Sequence, residues 1–229
     1  MKVYNKAFLT VFLTLIILFL SGCSQTVRMH DLSTRVDVSA DLDKIYSSVN
    51  EVLSDPSVVA IVTGKVTKTE NVLTENSAYT ICEVSLSDVV KGPMHNGDTI
   101  FVIEYGAQLS KEETIGFLNK SKAEYDDNDI RPISIYYEDY HFSKVGDENL
   151  YCLEPCASQA LEQKISLKPL YVVAGAFQGK LSIENGKYIW KTPRTLIEEN
   201  PNLTAEQKEA IVNAQYNLTE LKQAINENQ

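Results

Sequence analysis

Cys152-Leu153-Glu154-Pro155-Cys156 is the segment whose residue types and spacing most invite chemistry. Two thiols at this separation can close a disulfide, cycle as a redox pair, or supply half of a soft metal site. A third thiol, Cys82, lies where Cys82, Val84 and Leu86 alternate with Glu83, Ser85 and Ser87. That period of two is a half-buried strand with Cys82 on its inner face, close enough in principle to pair with Cys152 or Cys156. Setting Cys23 aside leaves three cysteines, so any pairing leaves one thiol over. A structural disulfide, buried free thiols and a redox pair all stand open at this point.

A second cluster is aromatic. Tyr125, Tyr136, Tyr137, Tyr140, His141 and Phe142 fall within eighteen residues and include four of the twelve tyrosines. Aromatic faces supply rigid contact area at low entropic cost, which is how many peptide and glycan binders work. Weak alternation and acidic flanks make self-burial hard to arrange here. Tyr136, Tyr137, Tyr140 and Phe142 are therefore expected to form an exposed binding surface.

Other chemistry finds little footing. Glu124 to Asp129 is acidic, but an EF-hand loop begun at Asp127 would place Arg131 and Pro132 where an oxygen ligand and a glycine are required. His30, His95 and His141 are scattered without metal-ligand spacing. No G-x-S-x-G elbow, S-x-x-K or phosphate-cradling glycine loop occurs. No catalytic residue, metal or cofactor is nominated. The balance of 21 basic against 31 acidic residues, a formal charge of −10, argues against nucleic acid as partner. At 229 residues and 44% hydrophobic, the chain is long enough for one domain with a real core plus appendages.

The first residues carry an address. Lys2 and Lys6 precede the apolar run Ala7 to Leu20, which is short of the ~20 residues needed to span a bilayer and fits a signal-peptide core. Leu20-Ser21-Gly22-Cys23 follows and resembles the lipobox of bacterial lipoproteins. The resemblance implies cleavage after Gly22 and a thioether-linked diacylglycerol on Cys23, with palmitate-type chains. Two acyl chains, at about 0.8 kcal/mol per buried methylene, anchor stably where one would be marginal. The chain would thus sit on the extracytoplasmic face of the cell membrane. Without residues 1–22 its charge would be −12, which anionic headgroups repel, so the lipid must do the holding.

These groups need elements to position them. Residues 23–40 are polar and aperiodic and read as a tether. Leu42, Ile45, Tyr46, Val49, Val52 and Leu53 step by three and four, predicting an amphipathic helix over Asp41–Leu53, capped by Asp41 or Ser39 and closed by Pro56. Strands are expected at Val58–Val66, with Gly64 as a bulge, and at Ser77–Val90, Thr99–Tyr105, Leu150–Leu153 and Leu170–Ala174. A hairpin over Lys180–Trp190 turns at Asn185-Gly186. An insertion over 107–145 should hold a helix from Lys111 to Lys120, opened by the capping box Ser110 to Glu113. The tail 192–229 reads as helical, with a second capping box at Thr204 and Gln207 and a break near Asn217.

The strings Ile61-Val62-Thr63-Gly64-Lys65-Val66, Val89-Val90-Lys91-Gly92 and Gly97-Asp98-Thr99-Ile100 resemble an OB-like barrel of Gram-positive surface lipoproteins. Val145-Gly146-Asp147-Glu148 and Gln178-Gly179-Lys180 match its closing half, so coverage is roughly 58–190. The resemblance implies a mainly β (α+β) fold, a small antiparallel barrel over 41–191 with an N-terminal helix, the helical and aromatic insertion and the helical tail. Netrin-like protease-inhibitor modules share this architecture but use a free N-terminal cysteine, whereas here the equivalent Cys23 would be acylated and tethered to the membrane. The expected role is non-catalytic: binding or scaffolding at the membrane for a surface protein, peptide or glycan. A thiol-redox accessory using Cys152 and Cys156 is the alternative.

Overall fold

The computed structural model describes residues 34–38, 44–74, 77–121, 130–137, 140–190, 197–198, 200–201, 203–212 and 214–227. The expected signal segment, Cys23 and the acidic stretch 124–129 lie outside them. In chain order the elements are β1 (Thr34–Val38), α1 (Val49–Ser54), β2 (Ala60–Leu73), β3 (Ala78–Lys91), β4 (Thr99–Tyr105) and β5 (Ala107–Leu109). There follow α2 (Lys111–Ser121), β6 (Ile133–Tyr137), β7 (Glu148–Pro155), α3 (Gln159–Lys164) and β8 (Leu170–Val173). The chain closes with β9 (Lys180–Glu184), β10 (Lys187–Trp190), α4 (Ala205–Val212), β11 (Gln215–Tyr216) and α5 (Leu218–Glu227).

Strands β7, β2, β3, β4 and β8 pair in that order, and β8 pairs back onto β7, which closes a five-stranded barrel. All pairs are antiparallel except β4 with β8, whose register runs Phe101↔Leu170 to Ile103↔Val172. This is the OB-like barrel the sequence motifs imply, and closure leaves its strands no open edge at the seam. Alternation sets the interior: Val62, Val66, Cys82, Val84, Ile100, Val102, Tyr151, Leu153 and Val173 share one cluster. Gly64 is the bulge expected of it. The β2–β3 register slips at Thr63/Gly64, and a Cβ there would meet Val84 Cγ1 at 2.5 Å and Ser85 O at 2.8 Å.

Three layers wrap the barrel. On one outer face α1, the β9–β10 hairpin and α5 bury Tyr46, Val52, Leu53, Trp190, Leu221 and Ile225 against Ile61, Leu150 and Leu181. On another, α3 and its flanks lay Leu161, Ile165 and Cys156 over Ile81, Ile103 and Leu170. At one end β5 and β6 of the insertion join β1 in a second sheet, β1-β6-β5, whose Ala107, Leu109 and Ile135 pack with Phe177. Asn185 and Gly186 both take positive φ (51° and 73°), the type I′ geometry that joins β9 to β10.

Several expectations need correction. The first helix is α1 alone, six residues capped by the Ser48 side chain on the Glu51 amide. Ile45 and Tyr46 precede it because Gln178 binds the Tyr46 backbone on both sides, Nε2 donating to Tyr46 O at 2.8 Å and Oε1 accepting from its amide at 2.7 Å. That pairing holds the chain out of helix where periodicity alone suggested a turn of it. Residues 34–38 of the supposed tether form β1, parallel to β6. The tail is not purely helical: it breaks before Asn217, as expected, but β11 joins the main sheet beside β10. Both anticipated capping boxes form, Glu113 N to Ser110 Oγ at 3.2 Å with Ser110 N to Glu113 Oε2 at 2.8 Å, and the same reciprocal pair at Thr204 and Gln207.

Candidate functional site

The residues singled out for chemistry do not meet. Cys82 lies in the barrel interior, Cys152 on the outer face beneath α1 and the hairpin, and Cys156 beneath α3. All three are free and buried in separate clusters, which is the buried-thiol alternative among the three that the sequence left open. The physical reason is β7 itself, whose alternation sends Cys152 to the hairpin side, while Cys156, just past its end, turns under α3. Burial pushes the Cys152 thiol up to about 12 and the Cys82 thiol well above its ordinary value, the latter helped by the nearby Glu104 charge. Thiolate, the reactive form, is suppressed in both. In the native protein Cys82 and Cys152 should therefore stay silent to a thiol reagent for hours and react only after denaturation. Rapid native labelling of Cys82 would mean that the barrel opens, and of Cys152 that the layer of α1 and the hairpin lifts off it.

The aromatic expectation is corrected as well. Tyr136 is 4% exposed, Tyr137 5%, Tyr140 1% and Phe142 7%. The segment that looked unable to bury itself does so by pairing. β6 sits between β1 and β5, and the rings stack on one another, Tyr136 on Phe142 at 5.5 Å and Tyr140 on Phe177 at 5.2 Å between centroids. Offset and tilted contacts of this kind add to area burial. The four side chains are core, not an exposed surface.

Where Tyr140 points, a site does appear that sequence reasoning missed. The inward row of β4 runs Ile100, Val102 and then Glu104, which is fully buried at the insertion end of the barrel. Lys180, at the start of β9 and 3% exposed, donates to Glu104 Oε2 at 2.8 Å. Oε2 also accepts from Tyr140 Oη at 2.9 Å and Ser143 N at 2.8 Å. Oε1 accepts from Ser143 Oγ at 2.7 Å and Tyr151 Oη at 3.1 Å. Asn149 Nδ2 completes the set by donating to Ser143 Oγ and Tyr151 Oη at 3.0 and 2.9 Å.

Electrostatics follow from this geometry. Burial alone would raise the Glu104 carboxyl, but the Lys180 charge and hydrogen bond, joined by those of Ser143, outweigh it and hold Glu104 below the usual glutamate range. The Tyr140 and Tyr151 hydroxyls go well above theirs through burial and then the Glu104 charge. Lys180 Nζ also donates to His141 O at 2.7 Å and to Ser143 Oγ at 3.1 Å, and lies 4.3 Å above the Tyr140 ring centre.

A serine beside a lysine is a geometry that nucleophilic catalysis uses. Here it is spent otherwise. Nζ is held by Glu104 Oε2, His141 O and Ser143 Oγ at once, and Ser143 is sealed at 2% exposure with its own hydroxyl on Glu104. Among the described residues no buried side-chain nitrogen or oxygen lacks a partner. A fully satisfied network of this kind specifies one packing. Glu104 belongs to β4, Asn149 and Tyr151 to β7, Lys180 to β9, and Tyr140, His141 and Ser143 to the insertion, so the arrangement is a lock joining insertion to barrel. Among the described residues no group of three or more His, Cys, Asp or Glu is placed to hold a metal ion.

Among the described residues two open grooves stand out. One, of about 380 Å³, lies along Gly146–Asn149 and Ser182–Glu184 and is walled by Asp147, Glu148 and Glu184. The other, of about 410 Å³, lies between α1, β11 and α5. Among the described residues no helix is long and apolar enough to cross a membrane. No family model matches this chain, and no curated protein matches it either.

Proposed function

We propose that this chain is a lipid-anchored, extracytoplasmic binding or scaffolding lipoprotein that performs no catalysis of its own. The observation that carries the anchoring is Leu20-Ser21-Gly22-Cys23, placed directly after a basic start and the Ala7–Leu20 apolar run. The distribution of polar chemistry supports the non-catalytic part. Glu104, Lys180, Ser143 and the thiols are interior groups that hold packing, so the work falls to the outer surface. On that surface an excess of carboxylates steers the choice of partner away from anionic lipid and nucleic acid and towards cationic chemistry.

The test is processing in a bacterial host fed labelled palmitate. The wild-type chain should carry label and begin at Cys23, and Cys23→Ala should accumulate as an unlabelled, uncleaved precursor. A variant still labelled and cut after Gly22 would overturn the lipobox reading.

A further inference from the structure

The two grooves differ in a way that selects between them. The groove at Gly146–Asn149 is mostly polar, three carboxylates with Asn149 and Ser182 and a single apolar side chain, Ile183. The groove between α1, β11 and α5 combines both kinds of surface. Its floor is Tyr216, Leu221 and Ala224, and its rim is Asn50, Gln215, Gln223, Glu220 and Glu227. Three separate segments supply these residues, brought together because Val49, Val52 and Leu53 of α1 share a core with Leu221 and Ile225 of α5.

Its charge is one-sided. Among the described residues no lysine or arginine lines it, and Lys222, the basic residue of α5, is already paired with Asp88 at 2.6 Å. Glu220 and Glu227 are steadied by local bonds, Asn217 N to Glu220 Oε2 and Gln223 Nε2 to Glu227 Oε1, both 2.8 Å. These bonds fix the carboxylates in place at the rim without neutralising them.

We infer that this groove docks a short cationic segment of a partner polypeptide, seating one apolar side chain on Tyr216, Leu221 and Ala224 between Lys or Arg residues that meet Glu220 and Glu227. The inference rests on the binding reading above and names the chemistry of the partner. An apolar anchor in a pocket with charged pairs at the rim is the ordinary anatomy of a specific interface. The rim carboxylates would set the approach and its salt dependence, and the floor would set the residence time.

The probes are three blocked tripeptides, Lys-Leu-Lys, Lys-Ser-Lys and Glu-Leu-Glu, titrated into the isotopically labelled full-length chain in zwitterionic detergent with amide shifts followed by NMR. Lys-Leu-Lys should move Asn50 and the amides of 215–227, saturably, and far more than either counterpart. Glu220→Lys with Glu227→Lys should weaken that response about tenfold or more, since two attractions become repulsions. Both residues are exposed, so the fold should survive. The inference fails if Lys-Ser-Lys does as well as Lys-Leu-Lys, if shifts gather at Gly146–Asn149 instead, or if nothing moves. None of these outcomes depends on whether Cys23 is acylated, so failure here is separable from failure of the anchor.

Discussion

Lys180→Met should cost about 3–5 kcal/mol of stability at neutral pH, roughly 10 °C in Tm, in thermal or denaturant unfolding. The methionine fills similar volume, so the loss comes from Glu104, left fully buried beside a carbon chain where an ammonium stood. The pH dependence gives the effect a signature. In the wild type the folded-state carboxyl is held low, so its contribution is complete above the unfolded value of about 4.3 and fades as pH falls through the folded value. In Lys180→Met the main charge that lowered Glu104 is gone, burial dominates, and the folded-state carboxyl rises instead. Its penalty is then present at neutral pH and relieved by acid. The gap between wild type and variant should be widest near neutrality and narrow below about pH 4. A gap independent of pH would assign the loss to packing alone.

Tyr140→Ala should be as damaging, about 3–5 kcal/mol, because it removes a fully buried ring from the insertion core together with its bond to Glu104. Tyr140→Phe isolates the second part. It keeps the ring on Phe177 and should cost about 1.5–3 kcal/mol, the range for a hydrogen bond to a charged group. Tyr137→Ala should follow the alanine pattern through its edge contact with Tyr105 at 5.5 Å. Small losses at Tyr137 and Tyr140 would restore the exposed aromatic surface that burial now contradicts.

How far the sequence could be read follows from the kind of signal each element carries. The barrel strands β2, β3, β4 and β7 run for seven or more residues, with burial alternating from Cys82 to Ser87 in β3, and Asn185-Gly186 satisfies a turn that demands positive φ twice. The Ser110 and Thr204 boxes are local too, since each needs only a neighbour three positions on. By contrast β1, β5, β6 and β11 have five residues or fewer, and their strand character comes from pairing partners distant in sequence. β1 meets Ile133–Tyr137 across nearly a hundred positions, and no local pattern records that. The same holds for Tyr46, kept out of helix by Gln178.

The lock was half visible. Glu104 interrupts an apolar run, Thr99 to Ile103, on the side that Ile100 and Val102 send inward. A carboxylate in that row is a signal that a cation must come to it. Which cation could not be read, because Lys180 reaches Glu104 only once β7 has placed β9 beside the barrel. The aromatics misled for a related reason. Their burial depends on three strands and Phe177 converging, and an irregular segment gives no sign of that.

The central claim is that Glu104 and Lys180 form a structural lock between insertion and barrel rather than a reactive centre. A double-mutant cycle with Glu104→Gln and Lys180→Met, followed by denaturant unfolding at neutral pH, tests it most directly. Each single change should be severely destabilising, and the double should be less so than their sum by roughly 2–3 kcal/mol, since removing one charge makes the other's partner unnecessary. Additive losses within about 0.5 kcal/mol would show that the two side chains do not act on each other, and the lock would be contradicted.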